Sequence, residues 1–129
     1  MLEKEGYELM GAAFEVYNEL GHGFLEEVYQ EALERELAAR HIPFVSQQPV
    51  QILYKGSALE KKYKPDLLVY GGIIVELKAF KALAPEHEAQ LLNYLKATGK
   101  PVGYLINFGY PTELQWKRMI LTQNKRQSV

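Results

Sequence analysis

The spacing of apolar residues predicts three helices along the chain. Over residues 3–20 apolar side chains recur every three or four positions, which is typical of a helix with one buried stripe. The sequence GHG at 21–23 ends this helix, and a second helix is predicted over about 24–40. Its buried side is expected to carry Leu25, Val28, Tyr29, Ala32, Leu33 and Leu37. A third helix is predicted from Pro85, which suits a first helical position, to Gly99, which suits a helix end.

Strand patterns follow the second helix. Alternation of apolar and polar residues predicts a strand within 44–54 and a turn at 55–57. Two longer runs, 59–70 and 73–80, flank a Gly-Gly pair and together predict a hairpin.

The end of the chain predicts two more strands. The run PVGYLINF at 101–108 is nearly all apolar, which is typical of a strand covered on both faces. A strand over 116–121 is expected at the sheet edge, and the polar tail TQNKRQSV is expected to be frayed. Helices and strands in this order predict an α/β fold, with a central mixed sheet flanked by helices on both faces.

Length and composition narrow the class of protein. The chain has 129 residues, 47% of them apolar, which predicts one compact domain. Its 15 basic and 16 acidic residues leave a net charge of -1, so a polyanion partner must be held by a local patch. The absence of cysteine excludes disulfides, thiolate metal sites and cysteine nucleophiles. No segment resembles a signal peptide or a membrane span, and we expect a soluble, unprocessed, cytoplasmic protein.

Three ionisable residues interrupt the predicted hairpin PDLLVYGGIIVELK. Glu76 and Lys78 are two positions apart on one strand, so they point to the same face of the sheet. Asp66 joins them only if the hairpin pairs it with Glu76, which requires a three-residue loop at 70–72 or a bulge. A two-residue turn would place Asp66 on the apolar face instead. We therefore predict the three-residue loop or a bulge.

Such a cluster must either pair internally or hold something, because burying an unpaired charge is costly. One interpretation is an ion pair between Glu76 and Lys78 at the end of a strand. The other begins from the repulsion between two carboxylates, which a cation between them would relieve. Hard oxygen ligands with room for water suit Mg²⁺ or Mn²⁺. Such an ion can polarise a phosphate and lower the pKa of a bound water, while Lys78 orients that water or neutralises charge on phosphorus.

Three motifs carry a family resemblance. The PD at 65–66, followed after nine residues by ELK, resembles the signature of the PD-(D/E)XK nuclease superfamily. GFLEEVY at 23–29 is similar to the motif that names the GxxExxY family within it, and QLLNY at 90–94 is similar to the Q-x-x-x-Y helix of RecB-like nucleases. The resemblance covers roughly residues 8–121. It implies a restriction-endonuclease-like core and a metal-dependent nuclease.

The resemblance also implies roles for the acidic cluster. Asp66 and Glu76 would bind the metal, Glu26 would be a third carboxylate near it, and the backbone carbonyl of Leu77 would be a further ligand. Lys78, Glu76, Asp66 and Gln90 would form the catalytic set. Helical periodicity alone does not select Glu26, because Glu36 falls within the same arc of the second helix. Without the motif, Glu26 is equally well a favourable charge at a helix N-terminus.

Further residues are predicted to bind substrate. Gln90 and Tyr94 lie on one helical face with His87 one turn before them, where the alternative is an ordinary amphipathic boundary. The run KKYK at 61–64 is a local basic cluster that can contact phosphates, although such runs are often solvated strand edges. The predicted substrate contacts are Tyr94, Tyr29, His87, Lys62 and Lys64.

Three functions follow from this sequence. The first is a Mg²⁺-dependent or Mn²⁺-dependent nuclease, for which the resemblance favours DNA as the substrate. The second is a catalytically weak nucleic-acid-binding or assembly subunit that uses the nuclease fold. The third is an interaction domain whose charges merely pair with each other. A homodimer would double the small binding surface, but no motif requires one.

Overall fold

The computed structural model describes residues 1–121, and its helices follow the predicted pattern. Helix α1 spans Glu3–Leu20, α2 spans Glu26–Ala39 and α3 spans Pro85–Thr98. As predicted, Pro85 opens α3, and Gly99 ends it with a positive φ of 75°. Within the described residues, none of the helices has the length and apolar character needed to cross a membrane.

Seven strands complete the described part of the chain. They are β1 (Phe44–Ser46), β2 (Val50–Tyr54), β3 (Ser57–Tyr63), β4 (Leu67–Val69), β5 (Ile73–Lys78), β6 (Val102–Asn107) and β7 (Gln115–Ile120). The tail at 122–129, predicted to be frayed, lies outside the described residues.

The strands form one mixed sheet and one separate hairpin. The main sheet has five strands in the order β1-β4-β5-β6-β7, and β2 pairs only with β3. Strands β5 and β6 are parallel and are connected through α3, whereas the other neighbours are antiparallel. Helices α1 and α2 cover one face, and α3 packs against β6 and β2 on the other. This arrangement confirms the predicted α/β fold with a mixed sheet between helices.

Strand β5 separates two hydrophobic cores because its side chains alternate between the faces of the sheet. Ile73, Val75 and Leu77 pack with α1 and α2 in the larger core. Ile74 packs on the opposite face with Leu91 of α3. All residues of β6 are buried, which confirms the prediction of a strand covered on both faces.

The predicted strand over 59–70 is wrong, because this segment is divided between the two sheets. Strand β3 ends at Tyr63, and β4 begins at Leu67 in the main sheet. Pro65 lies between them and lacks the backbone N–H that a strand ladder needs, so pairing stops there. The residues on either side of the proline are strand-like, and their pattern alone does not separate the two strands.

Two other predicted boundaries also need correction. The strand predicted within 44–54 is divided into β1 and β2, and Gln47 between them adopts a positive φ of 51°. Helix α2 begins at Glu26, and the predicted core residues Leu25 and Val28 are 69% and 38% exposed. Leu25 is the extended residue before the helix, so helical periodicity does not describe where its side chain points.

The register of the β4–β5 hairpin is the one that the acidic cluster requires. Val69 pairs with Ile73, which leaves a three-residue loop at 70–72, as predicted. Tyr70 and Gly71 both adopt positive φ angles, 55° and 71°. A positive φ is unfavourable for tyrosine. The Tyr70 hydroxyl donates a hydrogen bond to the Glu8 carboxylate of α1, which helps to hold the loop in this conformation.

Asn107 at the end of β6 ties together the segments that follow β5 and β6. Its side chain is fully buried. The Asn107 Oδ1 accepts from the Phe80 N–H at 2.9 Å and the Gly109 N–H at 3.2 Å. Its Nδ2 donates to the Phe80 carbonyl and to Gln115 Oε1, both at 3.0 Å. These bonds hold the chain just downstream of Lys78.

We expect Asn107→Ala to lower the free energy of unfolding by about 2–3 kcal/mol, because it removes a buried side chain and leaves part-buried backbone groups of Phe80 and Gly109 without partners. Urea denaturation followed by circular dichroism measures the effect. Asn18→Ala, at an exposed position of α1, is the matched control and should stay within about 0.5 kcal/mol of the wild type. Equal midpoints for the two variants would contradict this role for Asn107.

Candidate active site

Asp66, Glu76 and Lys78 come together where β5 ends. The register of the β4–β5 hairpin extends to place Asp66 across from Glu76. Glu76 and Lys78 share one face of the sheet, because they are two residues apart on β5. The Asp66 Oδ2 accepts a hydrogen bond of 2.7 Å from the Leu77 N–H, between the other two residues. The hairpin therefore brings the three predicted side chains to one place.

Gln30 of α2 holds the backbone of Asp66, a contact that sequence reasoning missed. Its Nε2 donates to the Asp66 carbonyl at 2.9 Å and to Glu34 Oε2 at 2.8 Å. The Gln47 N–H donates to the same Asp66 carbonyl at 3.1 Å. The available signal is spacing, because Gln30 lies one helical turn after Glu26 and so shares its face.

Glu26 lies in the first turn of α2 and approaches the cluster electrostatically. Partial burial raises its pKa, the negative charge of Asp66 raises it further, and Lys78 lowers it. Within residues 1–121, however, no three His, Asp or Glu side chains lie close enough to form a metal site. Glu26 lies at an exposed position at the start of α2, and the like charge of Asp66 disfavours a closer approach. Its part in metal binding remains a prediction.

Burial makes the carboxylates of this cluster difficult to ionise. Burial is the main cause that raises the pKa of Glu76 to about 7, and the charge of Glu26 adds to it. The Lys78 ammonium and the Asp66 backbone N–H act in the opposite direction. Burial likewise raises the pKa of Asp66, against the lowering effects of the Leu77 N–H and Lys78. The positive charge of Lys78 thus lowers the pKa of Glu26, Asp66 and Glu76 alike.

The alternative interpretation, an ion pair between Glu76 and Lys78, is not found. Among residues 1–121 the salt bridges all lie elsewhere, and none includes Glu76 or Lys78. The Glu76 Oε2 instead accepts a hydrogen bond from the Tyr63 hydroxyl. The charges of this cluster therefore do not simply neutralise each other in pairs.

Tyr63 is the second site residue that sequence reasoning missed. It appears in the KKYK run as an aromatic among lysines, but its side chain is buried and its ring stacks on Tyr94, with centroids 3.8 Å apart. Residues 57–62 of β3 are all exposed, as is Lys64, so the only sequence signal for Tyr63 is an aromatic side chain at the end of a mostly polar run. Both predicted phosphate-binding lysines are accordingly accessible next to a residue that contacts Glu76.

The residues predicted on α3 differ in their surroundings. Gln90 is exposed, and Tyr94, one turn later, is half-buried against Tyr63. His87 has a local structural contact: its Nδ1 accepts a hydrogen bond of 3.0 Å from the Ala84 N–H at the start of α3. Its ring also stacks on Phe80 with centroids 5.0 Å apart. These contacts favour a helix-capping role for His87 over the predicted substrate contact.

Tyr29 is placed where no substrate can reach it. Its side chain is fully buried, and the ring stacks on Phe108 with centroids 4.6 Å apart. Its hydroxyl donates to the Gly21 carbonyl and accepts from the Phe24 N–H. Tyr29 thus holds the turn between α1 and α2, just before the start of the helix that carries Glu26. The predicted substrate contact is corrected to this structural role.

One of the surface cavities formed by the described residues borders the cluster. A cavity of about 380 Å³ beside Asp66 is lined by Leu25, Glu26, Glu27, Gln30, Gln47 and Asp66. A larger cavity of about 650 Å³ lies between α1 and β7 and is mainly apolar. It contains none of the predicted site residues, so we assign the candidate site to the acidic cluster by its chemistry and not by cavity size.

Solved structures with a similar fold include that of an alkaline exonuclease. SSO0001 has a TM-score of 0.57 at 18% identity, with 77% of this chain and 52% of that chain covered. The alkaline exonuclease LHK-Exo from Laribacter hongkongensis has a TM-score of 0.52 at 13% identity, with 79% and 59% covered. Its complex with dAMP has a TM-score of 0.53 at 13% identity, with 79% and 58% covered. The chain thus spans between 52% and 59% of the length of these proteins.

A search of curated protein sequences gave no significant match. The family model of the PD-(D/E)XK nuclease superfamily, in contrast, matches residues 3–119. This match includes both helices of the N-terminal half, the acidic hairpin, α3 and nearly all of β7. The chain therefore belongs to the PD-(D/E)XK nuclease superfamily.

Proposed function

We propose that the protein is a metal-dependent nuclease that hydrolyses phosphodiester bonds of nucleic acid, with DNA as the preferred substrate. The observation that carries this proposal is the position of Asp66 across from Glu76, beside a Lys78 that pairs with neither. Nucleases of the superfamily generally use divalent metal ions. The motifs at 23–29 and 90–94 support a place in its GxxExxY branch, with a RecB-like core.

The donor atoms of the cluster suit Mg²⁺ or Mn²⁺. Asp66 and Glu76 offer hard carboxylate oxygens, and burial raises the pKa of each carboxyl group although Lys78 lies within electrostatic range. Mg²⁺ is commonly held by only one or two carboxylates while it keeps several waters, so a cluster of three is not required. The backbone carbonyl of Leu77 and the more distant Glu26 complete the proposed ligand set. A bound ion would polarise the phosphate and acidify a water.

The remaining residues act on the substrate through charge and orientation. Lys78 stabilises negative charge that grows on the phosphate and orients the attacking water. Exposed Lys62 and Lys64 contact the phosphates that flank the cleaved bond. From α3, Gln90 is proposed to belong to the catalytic set and Tyr94 to contact the substrate. The dAMP bound by LHK-Exo supports a nucleotide as the ligand of this fold.

We expect Lys78→Ala and Glu76→Ala each to reduce nuclease activity by about 100-fold or more, because Lys78 stabilises negative charge in the transition state and Glu76 holds the metal ion. The assay incubates purified protein and labelled single-stranded and double-stranded DNA and RNA with Mg²⁺, Mn²⁺ or EDTA. Lys4→Ala and Glu15→Ala, at exposed positions of α1, are matched controls and should retain wild-type activity. Equal activity in the wild type and both site variants would indicate contamination and defeat the proposal.

The raised pKa of Glu76 predicts how the stability of the metal-free protein depends on pH. Its value of about 7 in the folded state exceeds the ordinary 4.5, so the folded state keeps the proton to a higher pH than the unfolded state does. Stability should therefore fall as pH rises from 4.5 through about 7, by at most about 3 kcal/mol from this group. Urea denaturation of the wild type and Glu76→Gln between pH 5 and about 8 measures the difference.

Metal ions should reverse this loss of stability, because their ligands must be deprotonated. At pH about 8, Mn²⁺ should stabilise the wild type and leave Glu76→Gln unchanged. Without metal, a difference in the free energy of unfolding between the wild type and Glu76→Gln that stays constant with pH would contradict the raised pKa of Glu76.

A nucleic-acid-binding subunit of low activity is the second candidate. The lack of a three-carboxylate metal cluster within residues 1–121 favours it over a nuclease. In that case binding would be independent of metal, would weaken strongly with salt, and would not change in Glu76→Ala. The nuclease proposal instead requires metal-dependent cleavage that this substitution removes.

A further inference from the structure

The Glu76 carboxylate has a fixed partner from outside the main sheet. Tyr63 is the last residue of β3 and belongs to the separate β2–β3 hairpin. Its hydroxyl donates to the Glu76 Oε2, so one of the two carboxylate oxygens is engaged by the protein. A hydrogen bond of this kind restricts rotation of the Glu76 side chain and so determines how it presents its other oxygen.

Tyr63 can perform this task because its own ring cannot move freely. The side chain is 6% exposed and packs in the smaller core with Ile74 and Leu91. Tyr94 of α3 covers its face, with ring centroids 3.8 Å apart and the planes inclined by 8°. Rings packed face to face at this distance leave each other no room to rotate, so both are held in one orientation. The position of Tyr63 therefore depends on α3 as well as on the hairpin.

These contacts form a continuous chain of three side chains. Tyr94 stacks on Tyr63, and Tyr63 hydrogen-bonds to Glu76. This series of contacts gives a reason for a half-buried tyrosine at position 94, four residues after Gln90 on α3. It offers Tyr94 a function that needs no contact with substrate.

We propose that Tyr63, braced by Tyr94, is a positioning residue that orients the Glu76 carboxylate for metal binding. The inference rests on the proposed nuclease function and adds two residues that act through Glu76. Loss of a partner that orients a metal ligand typically costs about 10- to 100-fold in metal affinity. Tyr63→Phe removes only the hydroxyl and keeps the stacked ring, so it isolates the hydrogen bond.

The test measures the Kd of Mn²⁺ by isothermal titration calorimetry, beside the urea midpoint of each variant. Tyr63→Phe should raise the Kd by about 10-fold or more, and its urea midpoint shows whether the variant is still folded under the conditions of the titration. Tyr94→Phe keeps the ring and should bind as the wild type does, whereas Tyr94→Ala should weaken binding. Tyr54→Phe, at an exposed tyrosine of the same hairpin, is the matched control and should have no effect.

A double variant separates positioning from general destabilisation. If Tyr94 acts through Tyr63, then Tyr94→Ala in the Tyr63→Phe background should weaken Mn²⁺ binding no further than Tyr63→Phe alone. Independent, additive losses would overturn the proposed chain. Wild-type affinity in Tyr63→Phe would overturn the role of its hydroxyl.

Mn²⁺ binding by the wild type and by Glu76→Gln distinguishes failure of the positioning role of Tyr63 from failure of the proposed nuclease function. Mn²⁺ binding by the wild type, lost in Glu76→Gln but retained in Tyr63→Phe, would overturn the positioning role alone. A wild type that binds no Mn²⁺, or a Glu76→Gln variant that binds it equally well, would overturn the nuclease proposal and this inference together.

Discussion

The half-buried carboxylates of Asp66 and Glu76 are the constraint around which the rest of the structure is arranged. Their burial disfavours the charged forms, and the single ammonium of Lys78 only partly offsets this cost. The cluster exists because the hairpin loop at 70–72 has three residues. A shift of one residue in that register would turn Asp66 into the apolar core beneath α1 and α2. The geometry of one turn therefore determines whether the site can form.

Each layer of the fold adds one contact to this cluster. Helix α2 holds the Asp66 carbonyl through Gln30, and the β2–β3 hairpin reaches Glu76 through Tyr63. Strand β6 holds the chain that follows Lys78, because the Phe108 N–H donates to the Lys78 carbonyl at 2.9 Å. The buried Asn107 fastens the next turn. The acidic cluster is thus held from both faces of the sheet and from the neighbouring strand.

Local sequence patterns were sufficient for most of the fold and for the centre of the site. The helices, the buried strand β6 and the three-residue loop at 70–72 follow from periodicity, helix-end residues and the need to place Asp66 beside Glu76. The division of 59–70 between two sheets did not follow, because alternation describes which way a side chain points and not which strand lies beside it. Gln30 and Tyr63 were missed for the same reason, since their partners are distant in sequence. Tyr29 is the opposite case: the motif marked it as a substrate contact, but it is a core residue that holds the turn before α2.

The absence of pairing between Glu76 and Lys78 within the described residues bears most directly on function. Two neighbouring charges whose purpose was stability would gain most by direct contact, because an unpaired buried charge is expensive. Here Tyr63 holds the carboxylate and leaves the ammonium within electrostatic range of three acidic groups. The folded protein accordingly keeps the two groups close to each other without pairing them directly. A divalent cation and a phosphate together would offset both kinds of charge, since the cation neutralises the carboxylates and the phosphate neutralises the lysine.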